Sequence, residues 1–180
     1  MKKNLSKKIE IPEGVEFKIS NNIFSVKSGN EKLDEEFILG KLEIKEGDHA
    51  ILLESNKSTK REKKMMNTIA AHIRNMIQGV QKKFEYKLKI CYSHFPFTIS
   101  ISGNDAHIKN FLGEKVPRII KIPKDVEVKI DNEIILVLSA DKRLAGQFAA
   151  SLERGTKTKN RDKRVFQDGI YITNKAGKQI

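Results

Sequence analysis

Two stretches of this chain repeat each other: residues 9–28 read I-E-I-P-E-G-V-E-F-K-I-S-N-N-I-F-S-V-K-S, and residues 120–139 read I-K-I-P-K-D-V-E-V-K-I-D-N-E-I-I-L-V-L-S. At a constant offset of 111 positions, 11 of the 20 residues are identical without a gap. Chance rarely gives such agreement, so the repeat indicates an internal duplication. The sequence therefore predicts two copies of one small unit.

Each copy of the repeat has the pattern of a β-hairpin. In the first copy, Val15, Phe17 and Ile19 alternate with charged residues, which is the period of a strand with one buried face. The predicted turns are Ser20-Asn21-Asn22 and Asp131-Asn132-Glu133. Asn and Asp suit such turns because they tolerate left-handed backbone and bond their own main chain.

Further strands are predicted from short apolar or alternating segments that turn residues separate. In the first copy these strands are Ile23–Val26, Glu36–Leu42 and His49–Glu54. In the second copy they are Phe84–Tyr92, Phe97–Ile101, Ala106–Leu112, Val116–Ile122, Ile134–Leu138 and Ile170–Thr173. Most of each copy is therefore expected to be β structure.

One helix is predicted in each copy. Thr59 and Glu62 have the spacing of a capping box, and apolar residues recur at helical spacing over residues 65–80. The methionines of this helix predict adaptable core rather than a binding groove. The second helix is expected to begin after Asp141 and to end at Gly155. Its apolar face is formed by Leu144, Phe148 and Leu152.

This order of elements predicts an α+β protein with two similar tandem domains. Each domain is expected to be an antiparallel β-sheet covered by one α-helix. The boundary is expected near Gln81–Phe84, with residues 1–82 as the N-terminal domain and residues 83–180 as the C-terminal domain. Each is close to the lower end of ordinary domain size.

Charge is unevenly distributed along the 180 residues, whose net charge is +12. Residues 1–82 hold 16 basic and 12 acidic side chains, against 19 and 11 in residues 83–180. Six basic side chains lie in Arg154–Arg164 and five in Lys57–Lys64, whereas residues 31–48 are predominantly acidic. Such an excess repels itself without a counter-charge, so it indicates an anionic partner, with nucleic acid as the first candidate.

Several function classes find no support in the sequence. The longest apolar run, Ile134–Leu138, is far below the roughly 20 residues of a membrane span, and the N-terminus has no signal-peptide pattern. The four histidines are not spaced as metal ligands, and Cys91 is expected to be a buried structural thiol. No nucleotide-binding glycine motif or nucleophile motif occurs. A soluble cytosolic protein without enzymatic activity, metal or cofactor is therefore expected.

The segment after the second helix is the candidate nucleic-acid contact. Its basic residues are Lys157, Lys159, Arg161, Lys163 and Arg164. Lys supplies point charge to phosphates, and Arg can also stack or form paired bonds to phosphate oxygens. The segment is expected to be poorly ordered alone and to be stabilised by RNA. Strand residues do not interleave aromatic and basic side chains, so recognition of folded RNA by shape and backbone is favoured over base stacking.

Several segments resemble the universal large-subunit ribosomal protein six family in its archaeal and eukaryotic form, which is protein nine of eukaryotic ribosomes. The matching pieces are I-E-I-P-E-G-V at residues 9–15, H-I-R-N-M-I-Q-G-V at 72–80, Y-S-H-F-P-F at 92–97, N-F-L-G-E-K at 110–115 and T-K-N-R-D-K-R-V-F-Q-D-G-I-Y-I at 158–172. The resemblance covers nearly the whole chain in order. It also agrees with the duplication, because that family consists of two similar α+β domains.

The resemblance implies a structural component of the large ribosomal subunit that binds large-subunit ribosomal RNA. It implies a position near the stalk base and the sarcin–ricin loop, beside neighbouring ribosomal proteins and where translational GTPases dock, with no membrane contact. The second domain is expected to make most RNA contacts, mainly through residues 157–164. Supporting contacts are expected from Arg154, Thr156, Lys115 and Arg118.

Some alternatives remain open at this point. Residues 110–115 fit either a conformational element, with Gly113 as a turn and Lys115 free for phosphate, or a plain connection between strands. The aromatic residues of Tyr92–Phe97 are expected in the core rather than on RNA. A different function is an RNA-binding module outside the ribosome, such as a tandem-domain chaperone or regulator, and a third is a protein-interaction scaffold with incidental basicity.

Overall fold

The computed structural model describes residues 3–20, 22–29, 31–47 and 50–180. The chain divides between Lys83 and Phe84 into two compact units, called here the first and second unit. Each unit has its own apolar core. The core of the first unit includes Phe24 and Ile73, and that of the second includes Phe148, all at most 1% exposed.

The first unit places its helix against two antiparallel three-stranded sheets. Its described elements are β1 Lys3–Glu10, β2 Glu16–Ser20, β3 Ile23–Ser28, β4 Glu31–Glu36, β5 Glu43–Gly47, β6 Ala50–Ser58 and α1 Lys60–Gln81. One sheet has the order β1-β6-β5 and the other β2-β3-β4. Helix α1 packs against β1, β3 and β6, so it contacts both sheets.

The second unit has a five-stranded sheet and a three-stranded sheet, both antiparallel. Its elements are β7 Phe84–Cys91, β8 Thr98–Ser102, β9 Asp105–Lys109, β10 Arg118–Lys121, β11 Glu127–Asp131, β12 Ile134–Ser139, α2 Lys142–Gly155, β13 Gly169–Lys175 and β14 Lys178–Gln179. The larger sheet has the order β11-β12-β7-β13-β14 and the smaller β10-β9-β8. Helix α2 packs against β7, β12 and β13 at the centre of the larger sheet.

The predicted α+β class, with one helix in each of two similar units, is confirmed. The strands of each unit, however, divide between two sheets, whereas one sheet per unit was expected. Alternating patterns identify segments that form strands, but pairing depends on contacts between distant segments. The sequence pattern therefore predicted the strands better than their partners.

The strands of the two duplicated hairpins begin and end at equivalent residues of the repeat. Strands β2 and β3 lie 111 positions before β11 and β12 at both ends, and both pairs are antiparallel. Ser28 Oγ donates to the carbonyl of Gly14 at 3.2 Å, and the equivalent Ser139 Oγ donates to that of Asp125 at 2.7 Å. In the second hairpin the predicted turn residue Asn132 has a left-handed φ of 51°. Asn21 of the first predicted turn lies outside the described residues.

The predicted strand Glu36–Leu42 is wrong. Strand β4 ends at Glu36 and β5 begins at Glu43, with a connection between them in which Gly40 has a φ of 58°. Phe37 and Leu42 are buried, 7% and 4% exposed, and their apolar side chains produced the strand-like pattern. The next predicted strand began at His49, which lies outside the described residues, and the structure shows β6 from Ala50.

Strand β1 was not predicted, because Lys3–Glu10 is rich in lysine and lacks a strong apolar alternation. It pairs along β6, and this pairing is the most extensive contact between elements of the first unit. Only Ile9 on this strand is fully buried among the residues whose burial is described. Main-chain hydrogen bonding rather than side-chain burial therefore defines most of the strand.

Both helices begin as their caps predict. The Thr59 main-chain N–H donates to the Glu62 carboxylate at 2.7 Å, and Thr59 Oγ1 accepts from Arg61 N–H, which completes a capping box. Asp141 Oδ1 accepts from the N–H of Arg143 at 2.7 Å at the start of α2. Met66 and Met76 of α1 are buried in the first core, which confirms the core interpretation of the methionines.

Helix α2 ends at Gly155 as predicted, but this glycine is not the helix cap. It does not adopt the left-handed conformation of a glycine cap, and Thr156 is the capping residue. A Cβ at Gly155 would lie 2.5 Å from Ile120 Cδ1, which belongs to β10. The glycine therefore allows the end of α2 to approach the smaller sheet closely.

Candidate nucleic-acid interface

The candidate interface centres on residues 154–164, called here the basic segment, which lead from the last turn of α2 toward β13. The exposed cations of this segment are Arg154, Lys157, Lys159, Arg161, Lys163 and Arg164. Thr156 and Thr158 point inward and are 1% and 8% exposed. The segment thus presents charge outward, while its two threonines are buried against the unit.

Thr156 was predicted to contact RNA, but its hydroxyl is already hydrogen-bonded within the unit. Its hydroxyl donates to the carbonyl of Leu152 at 3.1 Å and accepts from the N–H of Ile170 at 2.9 Å. The residue is 1% exposed, so its hydroxyl cannot reach a phosphate in this arrangement. Thr156 instead fixes the start of the basic segment by joining the end of α2 to β13.

A tight turn shapes the second half of the basic segment. Asp162 Oδ1 accepts from the N–H of Arg164 at 3.0 Å, and the Asp162 carbonyl accepts from Phe166 N–H at 2.9 Å. The hydrogen bonds from the Arg164 side chain and then from its main chain lower the pKa of Asp162. Because this ion pair is exposed, it contributes little to stability, and Arg164 can exchange the carboxylate for a phosphate.

Arg161 stands at one end of a column of stacked side chains. Its guanidinium carbon lies 4.6 Å from the centroid of the Phe166 ring. The Phe166 ring in turn stacks on His94, with centroids 4.3 Å apart and planes within 13°. His94 Nδ1 lies 2.7 Å from Asp168 Oδ2 and is the donor, because a carboxylate only accepts. The column therefore connects an exposed cation to a buried carboxylate.

Asp168 anchors the loop that contains Ser93 and His94. Its carboxylate accepts from the main-chain N–H groups of Ser93 and His94 at 2.9 and 3.1 Å, and from Ser93 Oγ at 3.1 Å. Burial of this 1% exposed residue raises the pKa of its carboxyl, but these hydrogen bonds and that from His94 outweigh burial. The pKa of Asp168 therefore lies well below its usual range.

Acid should destabilise the second unit through Asp168. A carboxyl with a lowered folded-state pKa stabilises the fold above the unfolded value of about 3.9, and this stabilisation is lost as the pH falls below that value. We expect the urea midpoint of the second unit to fall as the pH is lowered from about 5 to about 2. An NMR titration of the Asp168 carboxyl carbon with an ordinary midpoint would contradict this assignment.

Arg118, also predicted as an RNA contact, is held by partners within the unit. Its Nε donates to Glu114 Oε2 at 2.7 Å, a second guanidinium nitrogen bonds the other oxygen, and Nη1 donates to the Gly155 carbonyl at 2.5 Å. Its guanidinium also lies 4.4 Å from the centroid of Phe111. Arg118 thus fastens β10 to the end of α2, and its contact with RNA stays a prediction. Lys115 is exposed and keeps its candidate role.

The connection between β9 and β10 has an unusual backbone. Asn110, Leu112 and Gly113 have φ angles of 62°, 50° and 79°, within and beside a 3-10 turn at Phe111–Gly113. Asn and Gly tolerate such angles, but for Leu112 the angle costs free energy and persists only where surroundings impose it. Here Phe111 is fully buried, and Asn110 Nδ2 donates to the Pro96 carbonyl at 2.9 Å. The connection is therefore a built turn, which its surroundings hold in place.

Two side chains of the Tyr92–Phe97 segment correct the prediction that its aromatic residues are core. Phe97 is buried and packs edge-on against Phe111. Tyr92 and Phe95 are 47% and 52% exposed. Cys91 is only partly buried, whereas a buried structural thiol was expected. The alternation of β7 ends at Cys91, and the segment then forms an exposed loop.

The basic segment also borders a pocket of about 300 Å³. Three predicted RNA contacts, Arg154, Lys157 and Lys163, line it together with the buried Thr156. Tyr171 of β13 forms part of its wall. The structure therefore brings together cations that lie up to nine positions apart in the sequence.

Sequence reasoning missed the residues that position the interface: His94, Phe166 and Asp168. His94 and Asp168 lie 74 positions apart, so no local pattern connects them. The available signal was that both belong to segments with a family resemblance, residues 92–97 and 158–172. Within the described residues, no cluster of His, Cys, Asp or Glu could hold a metal ion. None of the helices described is both long and apolar enough to cross a bilayer.

Comparison with known sequences gives matches over both units. A model of the family described as Ribosomal protein L6 matches residues 11–83 and 95–169. The protein named large ribosomal subunit protein uL6 from Methanococcus vannielii is 44% identical over 176 residues, which are 98% of this chain and 97% of that protein. Its namesake from Methanosarcina mazei is 41% identical over 178 residues, with 98% and 100% covered. That from Nanoarchaeum equitans is 41% identical over 180 residues, with 96% and 94% covered.

Proposed function

Since this chain belongs to the ribosomal protein L6 family and is a structural, non-enzymatic constituent of the large ribosomal subunit, we propose that its second unit provides the main contact with large-subunit ribosomal RNA. The basic segment and Lys115 make this contact. The family membership confirms the resemblance of the sequence to the archaeal and eukaryotic type. As part of the subunit, the protein acts in the cytoplasm.

The observation that supports this contact best is the combination of anchored main chain and exposed charge. Thr156 and Asp168 fix the two ends of the connection between α2 and β13 to the rest of the unit. Six cations between Arg154 and Arg164 face outward from it. Phosphate contacts supply most of the affinity of proteins for nucleic acid and fix their orientation on it. A fixed row of cations suits the backbone of a folded RNA.

The position within the subunit is a finer part of the proposal. We place the second unit near the sarcin–ricin loop and the stalk base, where translational GTPases dock. The acidic residues 31–47 of the first unit are disfavoured near RNA and suit solvent or a neighbouring ribosomal protein. The exposed cations at the start of α1, such as Lys60 and Arg61, form a smaller basic patch on that unit.

Co-sedimentation of the whole chain with ribosomal subunits tests this function. We expect the chain in the large-subunit fraction, with release that rises steeply as salt is added. Cross-linking followed by RNA sequencing should place the contacts of Lys157 and Lys159 near the sarcin–ricin loop. Recovery only in free or small-subunit fractions would contradict the ribosomal role and favour an RNA-binding module outside the ribosome.

A further inference from the structure

The pocket beside the basic segment combines three kinds of recognition chemistry. Arg154, Lys157 and Lys163 supply cations, Glu153 supplies an acceptor, and Tyr171 supplies an aromatic ring. Its volume of about 300 Å³ is at the lower end of the range for small-molecule sites. Exposed Lys and Arg side chains can bind phosphate anywhere on the surface, without a pocket or a ring. An aromatic ring in a concave, cation-lined site suits a planar group that carries a phosphate.

Tyr171 is held in place before any ligand arrives. Its hydroxyl donates to the carbonyl of Gln167 at 3.0 Å, at the far end of the ring. A Cβ at Gly169 would lie 3.3 Å from the ring atoms Cε2 and Cζ, so the ring packs against that glycine. Tyr171 is nevertheless 42% exposed. A ring that is fixed on one side and open on the other binds a stacked partner with little loss of side-chain freedom.

We propose that this pocket takes one unpaired nucleotide of the ribosomal RNA, with its base against Tyr171 and its phosphates against Arg154, Lys157 and Lys163. RNA-binding proteins commonly recognise such bases by stacking on aromatic side chains and by hydrogen bonds to base edges. Glu153 can accept from a base amino group. This inference rests on the proposed function and adds one base contact to recognition that is otherwise carried by backbone charge.

Substitutions at Tyr171 separate base stacking from charge. Binding of the whole chain to large-subunit ribosomal RNA is measured over a salt series. Tyr171→Leu should weaken binding by about 5- to 100-fold without changing the log–log salt slope, because stacking of a base does not release counterions. The matched variant Tyr171→Phe keeps the ring but loses the hydroxyl bond to Gln167, so it should weaken binding clearly less than Tyr171→Leu does. Lys157→Ala should instead reduce the slope by about one unit.

A fluorescence measurement keeps the test valid if Tyr171→Leu fails to fold. The chain has no tryptophan, so Tyr171→Trp introduces a single reporter. We expect ribosomal RNA to quench this tryptophan by stacking, whereas inorganic polyphosphate, which offers charge but no base, should not quench it. Equal quenching by polyphosphate would overturn the nucleotide pocket.

The remaining outcomes distinguish the pocket from the proposed function. Native affinity of Tyr171→Leu together with a reduced slope for Lys157→Ala would overturn the pocket and leave RNA binding by the basic segment intact. An unchanged slope for Lys157→Ala would overturn the contact of the basic segment at that residue. If the Tyr171→Trp chain binds ribosomal RNA with native affinity but its fluorescence is not quenched, the pocket is also overturned, because a base stacked on the tryptophan must quench it.

Discussion

The chain carrying Lys157→Ala, Lys159→Ala and Arg161→Ala together is expected to bind large-subunit ribosomal RNA with a log–log salt slope shallower by about three units. Each of the three cations is exposed in the anchored basic segment, and each phosphate that loses its cation retains its counterion. At physiological salt the lost counterion release corresponds to about 100-fold in affinity. Filter binding over a salt series measures both quantities.

A charge-matched variant distinguishes a defined contact from general attraction. Lys124→Ala, Lys129→Ala and Lys178→Ala also remove three exposed charges from the second unit, but they lie outside the basic segment. This control should keep most of the native slope. If both triple variants behave alike, the basic segment has no special role. Normal joining of the first variant to large subunits at high salt would equally contradict the contact.

Asp168→Asn should destabilise the second unit by about 2–4 kcal/mol, because it alters a buried carboxylate that accepts four hydrogen bonds from Ser93 and His94. The amide retains one acceptor oxygen and places an NH₂ group against donors. The column of His94, Phe166 and Arg161 loses its buried end, so RNA affinity should fall as well. Urea denaturation and filter binding measure the two effects.

Asp162→Asn is the control for this substitution. Asp162 lies only six positions away, but it is exposed and pairs mainly with Arg164. Its substitution should change stability little, because exposed ion pairs contribute little. Similar losses of stability in the two variants would show that Asp168 is not a special anchor. Native RNA affinity in a destabilised Asp168→Asn chain would show that the column does not position Arg161.

The hairpins and helices were predictable because their signals are local. The alternation of Val15, Phe17 and Ile19 and the capping box at Thr59 each involve residues a few positions apart. Division of the strands into two sheets was not predictable, because β1 pairs with β6 across about 50 positions. The loop at Phe37 shows the same limit, since buried apolar residues in a connection imitate a strand.

The charged residues of the candidate site were predictable from the sequence, but the contacts that hold them in place were not. Lys157, Lys159 and Lys163 could be identified from the basic run alone, and the structure leaves them exposed. Thr156 and Arg118 appeared equally suited to RNA, but each is hydrogen-bonded within the unit to the main chain of a distant element, Thr156 to Ile170 and Arg118 to Gly155. A sequence shows which groups a residue carries, whereas its available partners depend on the tertiary fold.

The anchors at Thr156 and Asp168 have a consequence for the thermodynamics of assembly. They fix both ends of the connection between α2 and β13 when the second unit folds. The conformational entropy of closing this connection is therefore lost before RNA binds. Association then carries a smaller ordering cost than coupled folding of a disordered segment would, and it buries little additional apolar surface. The heat capacity change on RNA binding should accordingly be small, which is the signature of docking between preformed surfaces.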